Sequence, residues 1–573
     1  MHQLSVESYM LHHYPAIEQF PLVVKKLLFS AMKKLFHENQ INNFMADNAH
    51  KDAFSFVEAV VDYFAVDISL KKNEMTRIPS YGRIVIIANH PLGALDAMAL
   101  MHLLRDVRSD VRIVANSFLH KFENLKELLI PIDNINGKMD KKTVASIYNA
   151  LKAEQAVVIF PSGEVSRARP NGIKDTVWKS GFLKIASKMQ APILPIHIKA
   201  KNSKTFYVLS AFNRSFATAT LPHEMFKGKG KKIGFDIGKS IPYESYSSLN
   251  TLSTNETVKL LRKHFYKVSK GKGELFKTQN HISLSESPSE IKAELKKGIL
   301  LGRTYDAKNI ILYESERENC VIKEIGRLRE ISFRFVGEGS GKKRDIDAFD
   351  FYYKHLIIWD DETLEIAGAY RIGVSVEIIE DFDIDGLYSA SLFNYYKAFD
   401  KQLEQGVELG RSFVQPKYWN SRALDYLWQG VGAFVRHNPQ IRYLFGAVSI
   451  SDTFNAKAKA LMIYFHKHYF GENELIVTHK NPYHLSLEMK QYCEIIFAGD
   501  DYRADQRVLK EELGFMGYTI PTLYKQYAEL CEEDGVKFLD FGYDKAFNNC
   551  IDGFIVVDLD KMKDVKRKRY IEE

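Results

Sequence analysis

Between Arg83 and Ala200 four short apolar runs, RIVIIAN, VRIVAN, AVVIFP and APILPIHI, alternate with stretches of helical periodicity such as TVASIYNALKAE. Strand-length runs that are apolar at nearly every position must be covered on both faces, and the intervening amphipathic helices supply that cover. The pattern predicts an α/β unit. A chain of 573 residues exceeds what one hydrophobic core sustains, so a second unit is expected. Near residues 268–290 VSKGKGELFKTQNHISLSESPSE gains glycine, serine and charge and loses apolar periodicity. The expected organisation is an amphipathic segment over residues 1–45, a first domain over 46–267, a linker over 268–295 and a second domain over 296–573. In the second domain HLIIWD, EIAGAYRIG, VELGRSFV and YLFGAVSI read as strands, and SLFNYYKAFDKQ and ALDYLWQGVGAFVRH as helices.

Cys320, Cys493, Cys531 and Cys550 show no paired zinc or redox spacing and are too few for a disulfide framework, so a reducing compartment is expected. No signal peptide and no spanning helix are read: Asn89, His90, Pro91 and Asp96 interrupt the longest apolar stretch, from Ile84 to Leu104. The formal charge of +7 suits several kinds of partner and decides little. In PLVVKKLLFSAMKKLF, Val24, Leu27, Leu28, Ala31, Leu35 and Phe36 recur at helical spacing, while Lys25, Lys26, Lys33 and Lys34 lie largely elsewhere. Such a helix can lie on an anionic membrane surface or pack on its own domain. The tail KMKDVKRKRY is a second basic cluster, of the kind that is usually solvated.

After the strand RIVIIA comes NHPLGALD, which places His90 and Asp96 in one strand-to-helix connection with Gly93 between them. A carboxylate beside an imidazole holds one ring nitrogen and stabilises the cation formed when the other takes a hydroxyl proton. The pair suits acyl transfer to an alcohol. A second apolar strand ends in FPSGEVSR, carrying Ser162, Gly163, Glu164, Ser166 and Arg167, and APILPIHI with Pro195 follows.

This ordered set resembles the glycerolipid acyltransferase family that makes phosphatidic acid from lysophosphatidic acid. The resemblance implies that His90 is the base, that Asp96 is its partner, that Asn89, Gly93, Ser162, Gly163, Glu164, Ser166, Arg167 and Pro195 belong to the substrate region, and that acyl groups arrive as thioesters. Two departures stand out. Five residues, Pro91 to Leu95, separate His and Asp where the family has four, and Gly93 is expected to absorb the extra one. Val165 stands where the family has an arginine suited to phosphate, which suggests an acceptor other than a glycerol phosphate.

The second half contains EIGRLREISFRFVGEGSG, DIDAFDFYYKHLIIWD, IAGAYRIG, ELGRSFVQPKYW, LWQGVGAFV and RYLFGAVSIS. Read singly, Arg327, Arg329, Arg371 and Arg411 would be surface or strand-end charges. Together the segments resemble acetyltransferase-like (GNAT) N-acyltransferases, specifically those that place a 3-hydroxyacyl chain on ornithine, and more distantly autoinducer synthases. Under that resemblance Glu408 and Asp347 are candidates for holding the ammonium or taking its proton, Arg411 for the acceptor carboxylate or the carrier, and Arg327 and Arg371 for substrate binding. QPKYWNSRALDYLWQG is bulky where coenzyme A users of this fold have a glycine-rich pyrophosphate loop, which points to acyl carrier protein as the donor.

The resulting expectation is a bifunctional aminolipid synthase. The second domain would N-acylate ornithine with a 3-hydroxyacyl chain, and the first would O-acylate that chain's hydroxyl. Acyl-ACP (or acyl-CoA) is the expected donor, with no tightly bound cofactor, no metal and no nucleic acid. Partners would be acyl carrier protein, amino acid, lyso-aminolipid and the inner face of the cell membrane, on which a cytoplasmic protein would sit. Alternatives are the same synthesis on glycine or another amino acid, a lysophospholipid acyltransferase, or a non-enzymatic haemolysin-like membrane protein.

Overall fold

The computed structural model describes residues 5–572 apart from 14, 72–73, 117–118, 120–121, 133–139, 171, 248–251 and 473. It divides into two compact units, Met1–His281 and Ile282–Glu573. The expected N-terminal segment belongs to the first unit, except that residues 1–4 and 14 lie outside the described residues. The expected linker is corrected: Pro288–Leu295 is a helix whose Ile291 and Leu295, one turn apart, are buried against Val321 and Ile325 of the second unit. Its apolar spacing is too short to stand out among serines and glutamates.

In the first unit, seven strands form one sheet: β1 (Asp67–Leu70), β2 (Ile84–Ala88), β3 (Val111–Asn116), β4 (Leu129–Ile132), β5 (Ala156–Ile159), β6 (Ile193–Lys199) and β7 (Lys232–Ile237). Their spatial order is β1-β7-β6-β2-β5-β3-β4, and every neighbouring pair is parallel except β6 with β7. Among its helices, those that bear on the site and on the cores beside the sheet are α1 (Leu22–Leu35), α2 (Ala53–Tyr63), α3 (Ala94–Arg105), α4 (Lys141–Lys152), α5 (Gly181–Lys188) and α6 (Thr254–Val268). Alternate side chains of the central β2 enter different cores. Ile84, Ile86 and Ala88 pack with α2 and α3, whereas Val85 and Ile87 pack with α4, α5 and α6. This double burial is why the four runs read from sequence are apolar at nearly every position.

The second unit has an eight-stranded sheet: β8 (Ile299–Arg303), β9 (Asn309–Tyr313), β10 (Lys354–Asp360), β11 (Glu365–Val374), β12 (Gly406–Val414), β13 (Tyr443–Ile450), β14 (Val536–Asp544) and β15 (Cys550–Asp558), ordered β8-β9-β10-β11-β12-β13-β15-β14. Helices α7 (Cys320–Phe335), α8 (Ala423–His437) and α9 (Ala456–Phe470) cover it. The one parallel pair, β12 with β13, spans only Gly406↔Tyr443 to Glu408↔Phe445. Beyond that point β12 stays with β11 and β13 with β15, so the two strands part. At the parting, a Cβ on Gly446 would fall 2.2 Å from the Leu409 carbonyl oxygen, so only glycine fits.

The helix expected over SLFNYYKAFDKQ forms only at its end, as a short turn at Lys397–Phe399 running into Asp400–Glu404. Phe393–Tyr395 is a short strand paired with Val477–His479, and Phe393 and Phe399 bury their rings against Phe554. Tertiary aromatic packing overrides helical spacing here. All four cysteines are free thiols: Cys493, Cys531 and Cys550 are buried and Cys320 is half-buried. Burial pushes the thiol of Cys493 up to about 11 and that of Cys531 up to about 12, and raises Cys550 further. Among the described residues no helix is long and apolar enough to cross a membrane.

Candidate active sites

In the first unit the site begins where β2 ends. The Asn89 side chain donates to the Ile198 carbonyl (2.9 Å) and accepts from the Ile198 N–H (2.7 Å), continuing the β2–β6 ladder by side chain. His90 is then held through its backbone: its N–H donates to Asp175 Oδ1 (3.3 Å) and its carbonyl accepts from Ser166 N–H (2.7 Å). Gly93, at φ +97°, turns the chain into α3. Asp96, fully buried, accepts the N–H groups of Leu92 (2.7 Å) and Gly93 (3.3 Å) through Oδ2. Its Oδ1 stands 2.9 Å from His90 Nδ1, ion-pair distance, although the ring N–H is not aligned on the oxygen. The His90 ring stacks on Phe160 with centroids 4.1 Å apart. Burial pulls the imidazole pKa down, but the close charge of Asp96, with that of Asp175, outweighs this, and the net shift is upward.

Asp175 was not signalled by the sequence, because a lone aspartate in KDTVW carries no pattern. Besides the His90 N–H, it accepts Ser166 Oγ–H (2.6 Å) and Trp178 Nε1–H (3.0 Å), which locks the FPSGEVSR turn against His90. Burial raises its carboxyl pKa.

His90 forms part of the wall of a cavity of about 1560 Å³, larger than the roughly 300–1,000 Å³ usual for small-ligand sites. Apolar side chains from α1, α2, α3 and α5, among them Leu35, Phe56, Met98 and Phe182, line most of it. Gly93, Gly163 and Glu164 also border it. Asn89, Asp96, Ser162, Ser166, Arg167 and Pro195 act from behind the wall. Ser162 Oγ donates to the Glu164 carbonyl (2.7 Å), and Pro195 is a buried β6 residue opposite Ile87. Arg167 is buried: it donates to Ser210 Oγ (2.8 Å) and Thr218 Oγ1 (3.1 Å), lies 3.4 Å from Glu164, and sits over the Phe206 ring. It therefore stabilises the turn and does not face substrate.

In the second unit Arg371 and Arg411 come together, but as members of a larger buried network. Arg329 on α7 donates to Asp350 (3.0 Å) and to the Asp345 carbonyl (3.1 Å). Arg371 on β11 donates to Asp347 (2.6 Å) and Asp350 (3.3 Å), and Arg411 on β12 to Asp347 (3.3 Å). Arg329 and Arg371 are each 1 % exposed, against the reading of them as surface charges. Their charges hold the Asp350 carboxyl far below the usual range despite its burial. Arg411, at φ +50°, sits where the β11–β12 register shifts, and both it and Arg371 stack on Tyr388. Arg371 keeps Nε and Nη2 buried without a hydrogen-bond partner.

Two sequence candidates are placed differently from their expected roles. Glu408 is buried and accepts from the Tyr353 hydroxyl and the N–H groups of Tyr388 (3.0 Å) and Ser389 (2.6 Å), so it positions the Tyr388 segment rather than waiting for a proton. Arg327 pairs with Glu324 (2.6 Å) on α7, while Arg329, which the sequence reading did not select, joins the network. Asp347 does join it, as a shared acceptor.

Past the parting of β12 and β13 lies a second feature that the sequence did not signal. Glu338 accepts from Ser449 Oγ (2.9 Å), Ser449 on β13 lies opposite Asp552 on β15, and Asp544 lies opposite Cys550. Burial pushes Glu338 up to about 7. Burial, then the charges of Asp544 and Glu338, push Asp552 up to about 8. Arg411 acts on Asp552 in the opposite sense. Carboxyl groups that titrate near neutrality can exchange protons with an amine.

Residues 18–273 match the family described as acyltransferase, and residues 328–429 the acetyltransferase (GNAT) domain. The chain is 33% identical over 299 residues to a glycine N(alpha)-acyltransferase of Phocaeicola vulgatus, covering 49% of this chain and 90% of that protein. It is 27% identical over 235 residues to a lyso-glycine lipid O-acyltransferase of the same bacterium, covering 40% and 83%. An L-ornithine N(alpha)-acyltransferase of Agrobacterium fabrum is 33% identical over 117 residues, covering 19% and 39%.

Proposed function

This chain is a two-domain acyltransferase belonging to the family of the glycine N(alpha)-acyltransferases, and we propose that it makes a diacylated aminolipid in two steps. The second unit places a 3-hydroxyacyl chain on an amino-acid nitrogen. The first unit then acylates the hydroxyl of that chain. The observation that carries the reading is His90, backed by Asp96, in the wall of an apolar cavity of about 1560 Å³.

With Asp96 on the Nδ1 side, Nε2 of His90 is the nitrogen left for substrate. It takes the proton of the acceptor hydroxyl as the oxygen attacks the thioester carbonyl. The carbon–sulfur bond breaks, and the proton passes to the departing thiolate. In the second unit an unprotonated amine attacks a thioester, and Asp552 or Glu338 takes the ammonium proton. The buried arginine–aspartate network acts by position.

Ornithine is the head group this geometry favours. Burial and neighbouring carboxylates raise Glu338 and Asp552, and the side-chain ammonium of ornithine beside them would stabilise their charged forms. Glycine is the second reading, favoured by the fuller coverage of the glycine relative. Acyl carrier protein is the proposed donor. The N–H groups of Tyr418, Trp419, Ser421 and Ala423, in the β12–α8 connection, are all engaged within that connection, which leaves them turned from any pyrophosphate. Attachment to an anionic membrane is supported by α1. Leu22 (72 % exposed), Val23 and Leu27 are uncovered at one end, while Met32, Leu35 and Phe36 line the cavity at the other.

The deciding experiment is mass spectrometry of lipids from a host lacking aminolipids, with and without this chain. A new diacylated aminolipid is expected, and its head-group fragment separates ornithine from glycine. A lipid profile unchanged by the expressed, folded protein would overturn the reading.

A further inference from the structure

We infer that Lys179 receives the free carboxylate of the acyl acceptor in the first unit's cavity, an assignment that rests on the O-acyltransferase reading above. Among the described residues lining that cavity, the lysine and arginine side chains are Lys179 and Lys184. Lys179 is exposed and its ammonium has no carboxylate partner among the described residues. Its position is fixed relative to the base. The Lys179 N–H donates to the Pro161 carbonyl (2.9 Å), and Phe160, the preceding residue, carries the His90 ring. The ammonium reaches over the turn at Gly163, where a Cβ would lie 3.3 Å from Nζ. At φ +67° this turn is one that glycine adopts without strain, so the space beside the ammonium stays open.

The other candidate for an anion is excluded by its surroundings. Arg167 is buried on Phe206 and engaged by Ser210, Thr218 and Glu164. Val165 is packed in a small apolar cluster with Phe206 and Ala217. The turn that follows β5 therefore presents no guanidinium fork to the cavity, and anion binding falls to the two ammonium groups that line it, of which Lys179 is the one tied by its backbone to the Phe160–Pro161 segment beside His90. An ammonium meets either anion as a point charge, so the choice between a carboxylate and a phosphate dianion rests on the other charges around it. Glu164 borders the same cavity and would repel a dianion more strongly than a monoanion. An amino acid acylated on nitrogen has lost its α-cation and keeps its carboxylate whatever its side chain. Lys179 would hold that carboxylate while the chain hydroxyl meets His90.

The test uses the full chain and two synthetic acceptors, N-(3-hydroxypalmitoyl)glycine and its carboxamide, with O-acylation followed at varied acceptor and donor concentrations. The wild type should prefer the acid. Lys179→Met should lower kcat/KM for the acid by roughly 10- to 100-fold, through KM, the usual scale for losing a charge-assisted hydrogen bond, and leave the carboxamide unaffected. Lys179→Arg should restore much of the preference. Unchanged discrimination in Lys179→Met overturns the inference, as does an equal loss on both acceptors with a raised KM for the donor, which would put Lys179 on the donor's phosphate. If the wild type acylates neither acceptor nor the ornithine counterpart, the O-acyltransferase reading itself fails. Retained N-acylation and an unchanged unfolding midpoint certify that each variant is folded.

Discussion

Asp96 presents one oxygen to His90 Nδ1 at 2.9 Å and the other to the N–H groups of Leu92 and Gly93, so a single carboxylate holds both the imidazole and the turn that carries it. Removing it disturbs orientation and charge together.

His90→Ala should lower O-acylation by about 10²- to 10⁴-fold, leave N-acylation intact, and make the mono-acylated amino acid accumulate. The base must be neutral to act, and its pKa is raised, so O-acylation should climb as pH rises through that elevated value. Asp96→Asn removes the anion that favours imidazolium, and the half-rise should move to lower pH while the plateau falls. A pH–rate profile with purified lyso-lipid reads both. An unmoved half-rise would detach Asp96 from the base.

Asp350 is buried between Arg329 and Arg371. Asp350→Ala leaves two buried guanidinium groups short of a counter-charge and should destabilise the second unit by about 3–5 kcal/mol, measured by denaturant unfolding. Because the folded-state pKa is depressed, the wild-type contribution is present above the ordinary carboxylate pKa and is lost only as pH falls through the depressed value. The variant should therefore lose that acid-dependent component.

Gly446→Ala puts a methyl group 2.2 Å from the Leu409 carbonyl oxygen, which is backbone and cannot rotate aside. The parting of β12 and β13 must shift, and N-acylation should fall at least tenfold while O-acylation of supplied lyso-lipid continues. Equal loss of both activities would point to general unfolding instead.

Acyl carrier protein should serve the N-acylation step better than coenzyme A thioesters, with a rate that falls as salt screens the encounter with this acidic carrier. Comparing the two donors across a salt series checks it, and equal, salt-independent use would remove the carrier from the proposal.

Lys33 lies 3.6 Å from Glu7 and Lys25 donates to the Glu18 carbonyl, whereas Lys26 and Lys34 are exposed. Lys26→Glu with Lys34→Glu should weaken binding to anionic liposomes by roughly thirty-fold or more, at about 1 kcal/mol per lysine removed, with acylation of detergent-dispersed lyso-lipid retained. Unchanged sedimentation would assign α1 to internal packing.

The central strands and the His90–Asp96 pair were readable because their signals are local: continuous apolar runs, and two residues joined within one turn. β1 and β7 are harder to see, since DISL and KIGFDI alternate polar and apolar positions over only 4 and 6 residues, too short a run to stand out. Asp175 acts on His90 from 85 residues away, a distance that no local pattern spans. On α7 the reading chose Arg327 over Arg329. Two residues on a helix lie about 200° apart, so one faced Glu324 and the other the buried network, and the charge pattern alone did not fix the phase. Glu338, Asp544 and Asp552 come from three separate segments and meet only through the pairing of β13, β15 and β14 and the Ser449 hydrogen bond to Glu338.

Every acyl transfer proposed here liberates one thiol from its donor, whichever unit performs it. Three of the protein's own sulfhydryls are buried, and all four have raised pKa values that keep them protonated at neutral pH, where the thiolate is the reactive form. A colorimetric thiol reagent should therefore count turnovers continuously in the presence of native enzyme, with little background and without inactivating it.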